Sequence, residues 1–197
     1  MKFIIVAYYT NNSIYESASD KLAFAANKLE IPHYIYGIPS RGGWCENTEY
    51  KPYFVRECMD EFPYMNIIYT DADSVVCKYP VLFDNPDADV IIRKQDFPWR
   101  KNEFMSGTFF LRNNDACKKM VDTWIQYVEA GKTVRSKPET WEQAHLGRAI
   151  VDSGVNYAQL PHDYIYYDHM EQIEGKVDEP VFVHMQYSRK TGHLRVI

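Results

Sequence analysis

The chain alternates short apolar runs with longer amphipathic stretches. Residues 2–7 form an apolar run of strand length, followed by a polar turn from Tyr8 to Ser13. Asn11-Asn12-Ser13 supplies side-chain acceptors for a helix start, and the helix is expected to run to about residue 30. Ile31 to Ile38 reads as a second strand, stopped by Pro39 and the loop Ser40-Arg41-Gly42-Gly43. Residues 49–62 have helical spacing, with Phe54, Cys58 and Phe62 on one stripe, and a third strand covers 66–70. Beyond a loop from Pro80 to Pro86, Asp89 to Arg93 is a short strand, Lys94 to Glu103 a polar and aromatic loop, and Met105 to Arg112 another strand. Asn113-Asn114-Asp115 opens a helix to about Ala130, Gly131 to Pro138 connects, and Glu139 to Ser153 is helical. Asn156 to Leu160 and Val181 to His184 complete the series as short strands. Such alternation with buried strands predicts one three-layer α/β/α domain over 1–197, built on a mostly parallel central sheet. Ligands of such sheets gather at the carboxyl ends of the strands. No internal repeat is present.

Composition narrows the function classes. The 197 residues are 46% hydrophobic and 25% charged, with no low-complexity tract, as befits one well-buried domain. The net charge of −5 argues against a broad nucleic-acid-binding face. The nearest basic cluster is the tail, with Arg189, Lys190, His193 and Arg195. Aromatic residues reach 15%, mostly the 16 tyrosines, whose flat faces suit stacking on bases and sugars as well as half-buried surface. The N-terminal run lacks the basic and cleavage regions of a signal peptide, and no segment approaches a membrane span. Cys45, Cys58, Cys77 and Cys117 form no CxxC pair, which reads as reduced thiols in a cytoplasmic protein.

The chemistry concentrates in Asn66-Ile67-Ile68-Tyr69-Thr70-Asp71-Ala72-Asp73-Ser74. On an extended strand, residues two apart point to the same side, so Asp71 and Asp73 converge. Two carboxylates held that close repel unless a cation or a shared proton lies between them. A hard divalent ion, Mn²⁺ or Mg²⁺, takes carboxylate oxygens and leaves positions for phosphates. The alternative is a polar turn after a buried strand. No GxGxxG, GxxxxGK[ST] or GxSxG occurs, which removes the common dinucleotide, P-loop and hydrolase signatures. Val181-Phe182-Val183-His184 ends an apolar strand in an imidazole that can complete the shell of a cation. Arg189 and Lys190 follow and can clamp a diphosphate.

Taken in order, the strand ending in Asp71-Ala72-Asp73, the segment Phe104-Met105-Ser106-Gly107, the pair Glu142-Gln143 and the final His184-x5-Lys190 resemble the GT-A nucleotide-sugar glycosyltransferases, closest to the glycogenin-like retaining group. The resemblance implies a Rossmann-like GT-A domain, with a nucleotide-binding part over about 1–93 and a donor-sugar and acceptor part over about 94–197. It implies a metal held by Asp71, Asp73 and His184, with Lys190, aided by Arg189, on the diphosphate. Ser106 and Gly107 fall beside the donor sugar, although Met105 stands where the family has Asn. Glu142 and Gln143 take the place of an Asp-Gln pair facing the reacting sugar, with Glu142 longer by one methylene. Nucleotide contacts are expected from Ala7, Tyr8, Tyr9 and Thr10, with a Tyr8 or Tyr9 ring for the base. A further contact comes from Lys51 or Arg56, between which spacing does not choose. Thr70, just before the metal motif, and Ala72, between its two aspartates, join the substrate set. Asp96 and Trp99, and the loop Pro161-His162-Asp163-Tyr164, fall where donor-sugar or acceptor contacts are expected.

The expected activity is transfer of a sugar from a nucleoside diphosphate, UDP first, to a glycan, protein, lipid or modified nucleic-acid base. Retention follows from the likeness; inversion would require a base, for which Glu142 is the candidate. The small domain leaves room for a homo-oligomer or partner to complete the site. Two rivals remain. Asp71-Ala72-Asp73-Ser74-Val75 also fits the nucleophile motif of haloacid-dehalogenase-type phosphatases, with Asp71 phosphorylated and Asp73 as acid/base. That motif normally follows the first strand, and no downstream acidic pair is apparent. The other rival is an inactive sugar-binding relative.

Overall fold

The computed structural model describes residues 2–97, 100–132, 141–167, 171 and 175–187. A six-stranded sheet runs in the order β2-β1-β3-β6-β5-β7, from strands β1 (Phe3–Thr10), β2 (His33–Ile38), β3 (Asn66–Thr70), β5 (Val90–Phe97), β6 (Arg100–Leu111) and β7 (Tyr157–Gln159). β1 pairs in parallel with β2 and β3, and β5 with β7; β6 alone runs against its neighbours β3 and β5. The central sheet is therefore mostly parallel, as expected.

Alternation along the strands buries both faces. Val6, Tyr8, Ile67, Tyr69, Phe109 and Leu111 pack on one side against α3 (Lys51–Glu61), α4 (Asp115–Gly131) and α5 (Glu142–Ser153). Ile5, Ala7, Ile68 and Phe110 pack on the other against Leu22 and Ala26 of α1 (Ile14–Lys28) and against Phe182. The expected helix starts hold: Ser13 Oγ accepts from Tyr15 N and Asn114 Oδ1 from Cys117 N, which satisfies amides with no partner inside the helix. Fully buried Trp124 of α4 donates its indole N–H to the Glu142 carbonyl at 2.8 Å, tying α4 to the start of α5.

A second, three-stranded sheet has the order β4-β9-β8, from β4 (Ser74–Val76), β8 (Tyr166–Tyr167) and β9 (Phe182–His184). Its β4–β9 register sets Ser74 opposite His184, bringing a late strand back to the residues that follow β3.

Several expectations are corrected. Tyr8 to Thr10 belong to β1, because β2 continues to pair with them as far as Thr10↔Ile38. The stretch expected as a loop from Lys94 to Glu103 is instead the extended arm of a β5–β6 hairpin, with Lys94 paired to Phe104 and Gln95 to Glu103. The helix read over 49–62 is α3 alone, preceded by a separate short helix α2 (Trp44–Thr48); Pro52 fits inside the first turn of α3, where its missing N–H has no role. Among the described residues no helix is long and apolar enough to cross a membrane.

Candidate functional site

Asp71 and Asp73 meet by a route other than the one expected. They leave the end of β3 in a turn, closed by Ser74 N donating to the Asp71 carbonyl at 2.9 Å, so the turn and not strand periodicity brings them together. Asp71 N donates to the Gly107 carbonyl at 2.9 Å, which fixes the turn against β6. Asp73 is buried, its carboxylate accepting from Tyr187 N at 2.8 Å while its carbonyl accepts from Met185 N at 2.8 Å. One ligand atom each from Asp71, Asp73 and His184 lies within 4.8 Å of the others.

The donor set fits a divalent cation. Burial, reinforced by the Asp71 charge, pushes the Asp73 carboxyl up to about 6, an upward shift that the nearby Lys51 ammonium only partly offsets. Burial also pulls His184 down to about 4, so its imidazole is neutral near pH 7 and has a lone pair to offer. Two carboxylates and a neutral imidazole suit Mn²⁺ or Mg²⁺.

Behind these ligands lies a buried polar network. Lys51, the first residue of α3, is 4% exposed and reaches Asp71 Oδ1 at 3.2 Å and Glu142 Oε1 at 2.9 Å. Its ammonium also donates to the Ser106 carbonyl and to Ser106 Oγ, at 3.2 and 3.1 Å. Ser106 Oγ donates to Glu142 Oε1 at 2.9 Å, and Ser106 N to Gln143 Oε1 at 3.1 Å. Glu142 and Gln143 open α5, where the helix dipole favours a carboxylate. Burial raises the Glu142 carboxyl, against the pull of Lys51, and its Oε2 has no hydrogen-bond partner among the described residues.

The structure separates the remaining expected residues. Lys51 reaches the cluster, whereas Arg56 lies in surface ion pairs with Asp60 and, at 3.0 Å, with Asp122 of α4. Ala7 is buried in β1. The Tyr8 ring is buried against Tyr50, Phe54 and Tyr69, so it offers no open face for a base; its hydroxyl donates to the Asn47 carbonyl at 2.8 Å. Tyr9, half-buried, lies over Gly37, and half-buried Thr10 bonds to Ser13. Thr70 and Ala72 are buried, and Thr70 is engaged with Ser74 and Thr108. Asp96 is exposed on the hairpin arm, and His162 to Tyr164 form a 3-10 turn. Arg189, Lys190 and Trp99 lie outside the described residues.

Residues not singled out from the sequence complete the site. Tyr69 donates to Asp71 Oδ1 at 3.1 Å, Glu103 accepts from the Gln143 amide, and Tyr167 lies against His184 with ring centroids 4.6 Å apart. Only Tyr69, two positions before Asp71, was within reach of the sequence pattern; the others arrive through pairing of distant strands. Gly107 shows how tight the packing is. A Cβ there would stand 2.3 Å from Tyr167 Oη, 3.1 Å from His184 Cε1 and 3.3 Å from Asp71 Oδ2. Gly107→Ala is therefore expected to destabilise by about 1–3 kcal/mol, the range for overpacking. Tyr167→Phe in the same chain should relieve most of that, and urea midpoints of the single and double variants would decide; equal midpoints for the two would reject the clash.

A family model described as nucleotide-diphospho-sugar transferase matches residues 64–193, a span that holds Asp71, Asp73, Glu142, Gln143 and His184. No curated protein sequence matches significantly. Among solved structures, a glycosyltransferase involved in the glycosylation of the major capsid of PBCV-1 superposes with a TM-score of 0.70 at 12% identity, over 98% of each chain. The galactosyltransferase LgtC, in complex with donor and acceptor sugar analogs, superposes with a TM-score of 0.58 at 11% identity, over 99% of this chain and 97% of its own. Identities this low speak for the fold, which is the GT-A-like mixed α/β arrangement. The sequence match carries the rest, and it covers well over half of the residues: the chain belongs to the nucleotide-diphospho-sugar transferase family.

Proposed function

We propose that the chain is a metal-dependent glycosyltransferase of the glycogenin-like kind, taking its sugar from a UDP-sugar and keeping the anomeric configuration. The observation that carries this is the convergence of Asp71, Asp73 and His184 directly beside Gly107 and the Lys51-Ser106-Glu142-Gln143 network. Asp71, Asp73 and His184 would hold Mn²⁺ or Mg²⁺, which when bound supplies positive charge against the charge gathering on the departing diphosphate. In sequence order, Arg189 and Lys190 provide a second clamp on that diphosphate. An open depression of about 520 Å³ beyond the end of β2, lined by Tyr36, Ile38, Pro39, Ser40, Arg41 and Tyr50, suits the nucleoside. There the Arg41 guanidinium lies 4.8 Å over the Tyr50 ring.

Glu142 bears on the stereochemistry. Its Oε1 is held by Lys51 and Ser106, and its unpartnered Oε2 is buried, so neither oxygen is open to take a proton from an acceptor. We therefore read the step as retaining. The bond from the anomeric carbon to the phosphate oxygen breaks, the acceptor oxygen bonds to that carbon on the same face, and the acceptor proton passes to the departing phosphate oxygen. The Gln143 carboxamide is fixed by Ser106 and Glu103 and would support the positive charge developing on the sugar. The acceptor oxygen belongs to a glycan, a protein, a lipid or a modified nucleic-acid base.

Thermal shift with UDP-, GDP- and other nucleotide-sugars, with Mn²⁺ or EDTA, tests the reading. At ligand 100-fold above Kd, a UDP-sugar should stabilise the Mn²⁺-loaded protein by about 2.7 kcal/mol and leave the EDTA-treated protein unchanged. Phosphate release from p-nitrophenyl phosphate with Mg²⁺, without any nucleotide-sugar response, would overturn it in favour of the phosphatase. Binding without hydrolysis or transfer would point to the inactive relative.

A further inference from the structure

Beneath the carboxylates runs a line of hydroxyls that the reaction above does not use. Ser74, Thr70 and Thr108 are each wholly buried, at 0% exposure, and His184 at 1%. A hydroxyl taken from water into a strand core is costly unless it is hydrogen-bonded. Here every link is made: Ser74 Oγ lies 2.7 Å from Thr70 Oγ1, Thr70 Oγ1 2.9 Å from Thr108 Oγ1, and Thr108 Oγ1 2.8 Å from His184 Nε2. Strand register builds the line, since Thr70 faces Thr108 across β3 and β6 while Ser74 faces His184 across β4 and β9. It thus links the two sheets at the point where Asp71 and Asp73 leave β3.

Each hydroxyl carries one proton, so the line has two polarities. In one, Thr108 donates to Nε2, the ring proton of the neutral imidazole sits on Nδ1, and neither nitrogen has a lone pair left for a cation. In the other, Nε2–H donates to Thr108, Thr108 to Thr70 and Thr70 to Ser74, and the Nδ1 lone pair is open. Tyr167 lies against the ring and restricts its rotation. We propose that Thr108, backed by Thr70 and Ser74, is a positioning residue that holds His184 in the Nε2–H tautomer and so presents Nδ1 to the cation shared with Asp71 and Asp73. This rests on the metal reading given above. A partner on the second ring nitrogen both fixes the tautomer and makes the ligating nitrogen more basic, and losing one typically weakens metal affinity 10–100-fold.

The test is Mn²⁺ affinity, read from the free-ion electron paramagnetic resonance signal, with no substrate present. Thr108→Val is expected to bind Mn²⁺ on the order of 10–100-fold more weakly, with Thr108→Ser restoring affinity to within a few-fold of the unaltered chain. Unchanged affinity in Thr108→Val overturns the proposal, whereas failure of the unaltered chain to bind Mn²⁺ overturns the metal reading beneath it. Should Thr108→Val not fold, nitrogen-15 histidine spectra of the unaltered protein with diamagnetic Mg²⁺ decide independently. An Nε2–H signal that persists on loading, with Nδ1 shifted, supports the proposal; a proton found on Nδ1 instead refutes it.

Discussion

Asp73→Asn should stabilise the metal-free protein at pH 7, by up to about 3 kcal/mol, while removing its Mn²⁺-dependent response to nucleotide-sugar. The Asp73 carboxyl rises from 3.8 to about 6, first through burial and then through the neighbouring Asp71 charge. The native state therefore holds this proton more tightly than the unfolded chain, and Asp73 weighs increasingly against folding as pH rises from about 4 to 6. A rise of that size corresponds to about 3 kcal/mol. His184 acts in the opposite sense. Its value falls from 6.5 to about 4 through burial, so the unfolded chain takes up the proton first and stability is lost as pH drops through that window. In the unaltered protein the two slopes nearly cancel between pH 4 and 6.5.

Asparagine at 73 keeps an acceptor for Tyr187 N but removes one slope. What remains is the His184 arm, a loss of about 3 kcal/mol on acidification from pH 6.5 to 4. Urea midpoints in EDTA across that range, for the unaltered and Asp73→Asn proteins, measure both claims; parallel curves would refute them. The pairing of higher stability with lost metal dependence is the expected mark of a carboxylate kept for function at the expense of the fold. It also separates loss of a ligand from simple misfolding.

Much of this arrangement was legible in the sequence because it is local. Apolar runs such as 3–7 and 66–70 announce buried strands, and Ser13 and Asn114 announce helix starts, since each signal lies within a few residues of the element it sets. The chain order Asp71, Asp73, Glu142, Gln143, His184 was readable for the same reason. What escaped depends on pairing between distant segments. Nothing near Thr108 or Tyr167 says that one will bond to His184 and the other lie against it; the β3–β6 and β8–β9 registers decide that. The β5–β6 arm looked like a loop because its residues are polar and its strand character comes from backbone pairing across the hairpin. Lys51 and Arg56 lie on one helix five positions apart, so spacing alone could not tell which faced the carboxylates and which faced Asp122 on α4.

That distinction carries the second large effect: Lys51→Met should destabilise the protein by about 3–5 kcal/mol, the range for removing one partner of a buried ion pair. Burial alone would drive the Lys51 ammonium toward its neutral form, but the Asp71 and Glu142 carboxylates more than offset this and raise its proton affinity. Methionine fills a similar volume without the charge, leaving Glu142 desolvated beside Asp71 with Ser106 as its one side-chain donor among the described residues. The Glu142 carboxyl, already raised by burial despite Lys51, would rise further. A carboxyl raised in the native state weakens folding as pH climbs through its value, so the Lys51→Met penalty should shrink on moving from pH 7.5 to 5. Glu142→Gln in the same chain should recover more than half of the loss, because the amide keeps an acceptor for Ser106 and brings no charge. Urea denaturation of the unaltered, single and double variants at both pH values provides the measurement. A single-variant loss below about 1 kcal/mol, as for an exposed pair, would show that the Lys51 ammonium is solvated rather than locked between the two carboxylates. Recovery of stability in the double variant without recovery of the Mn²⁺-dependent nucleotide-sugar response would assign the Lys51-Glu142 pair to the reaction rather than to the fold.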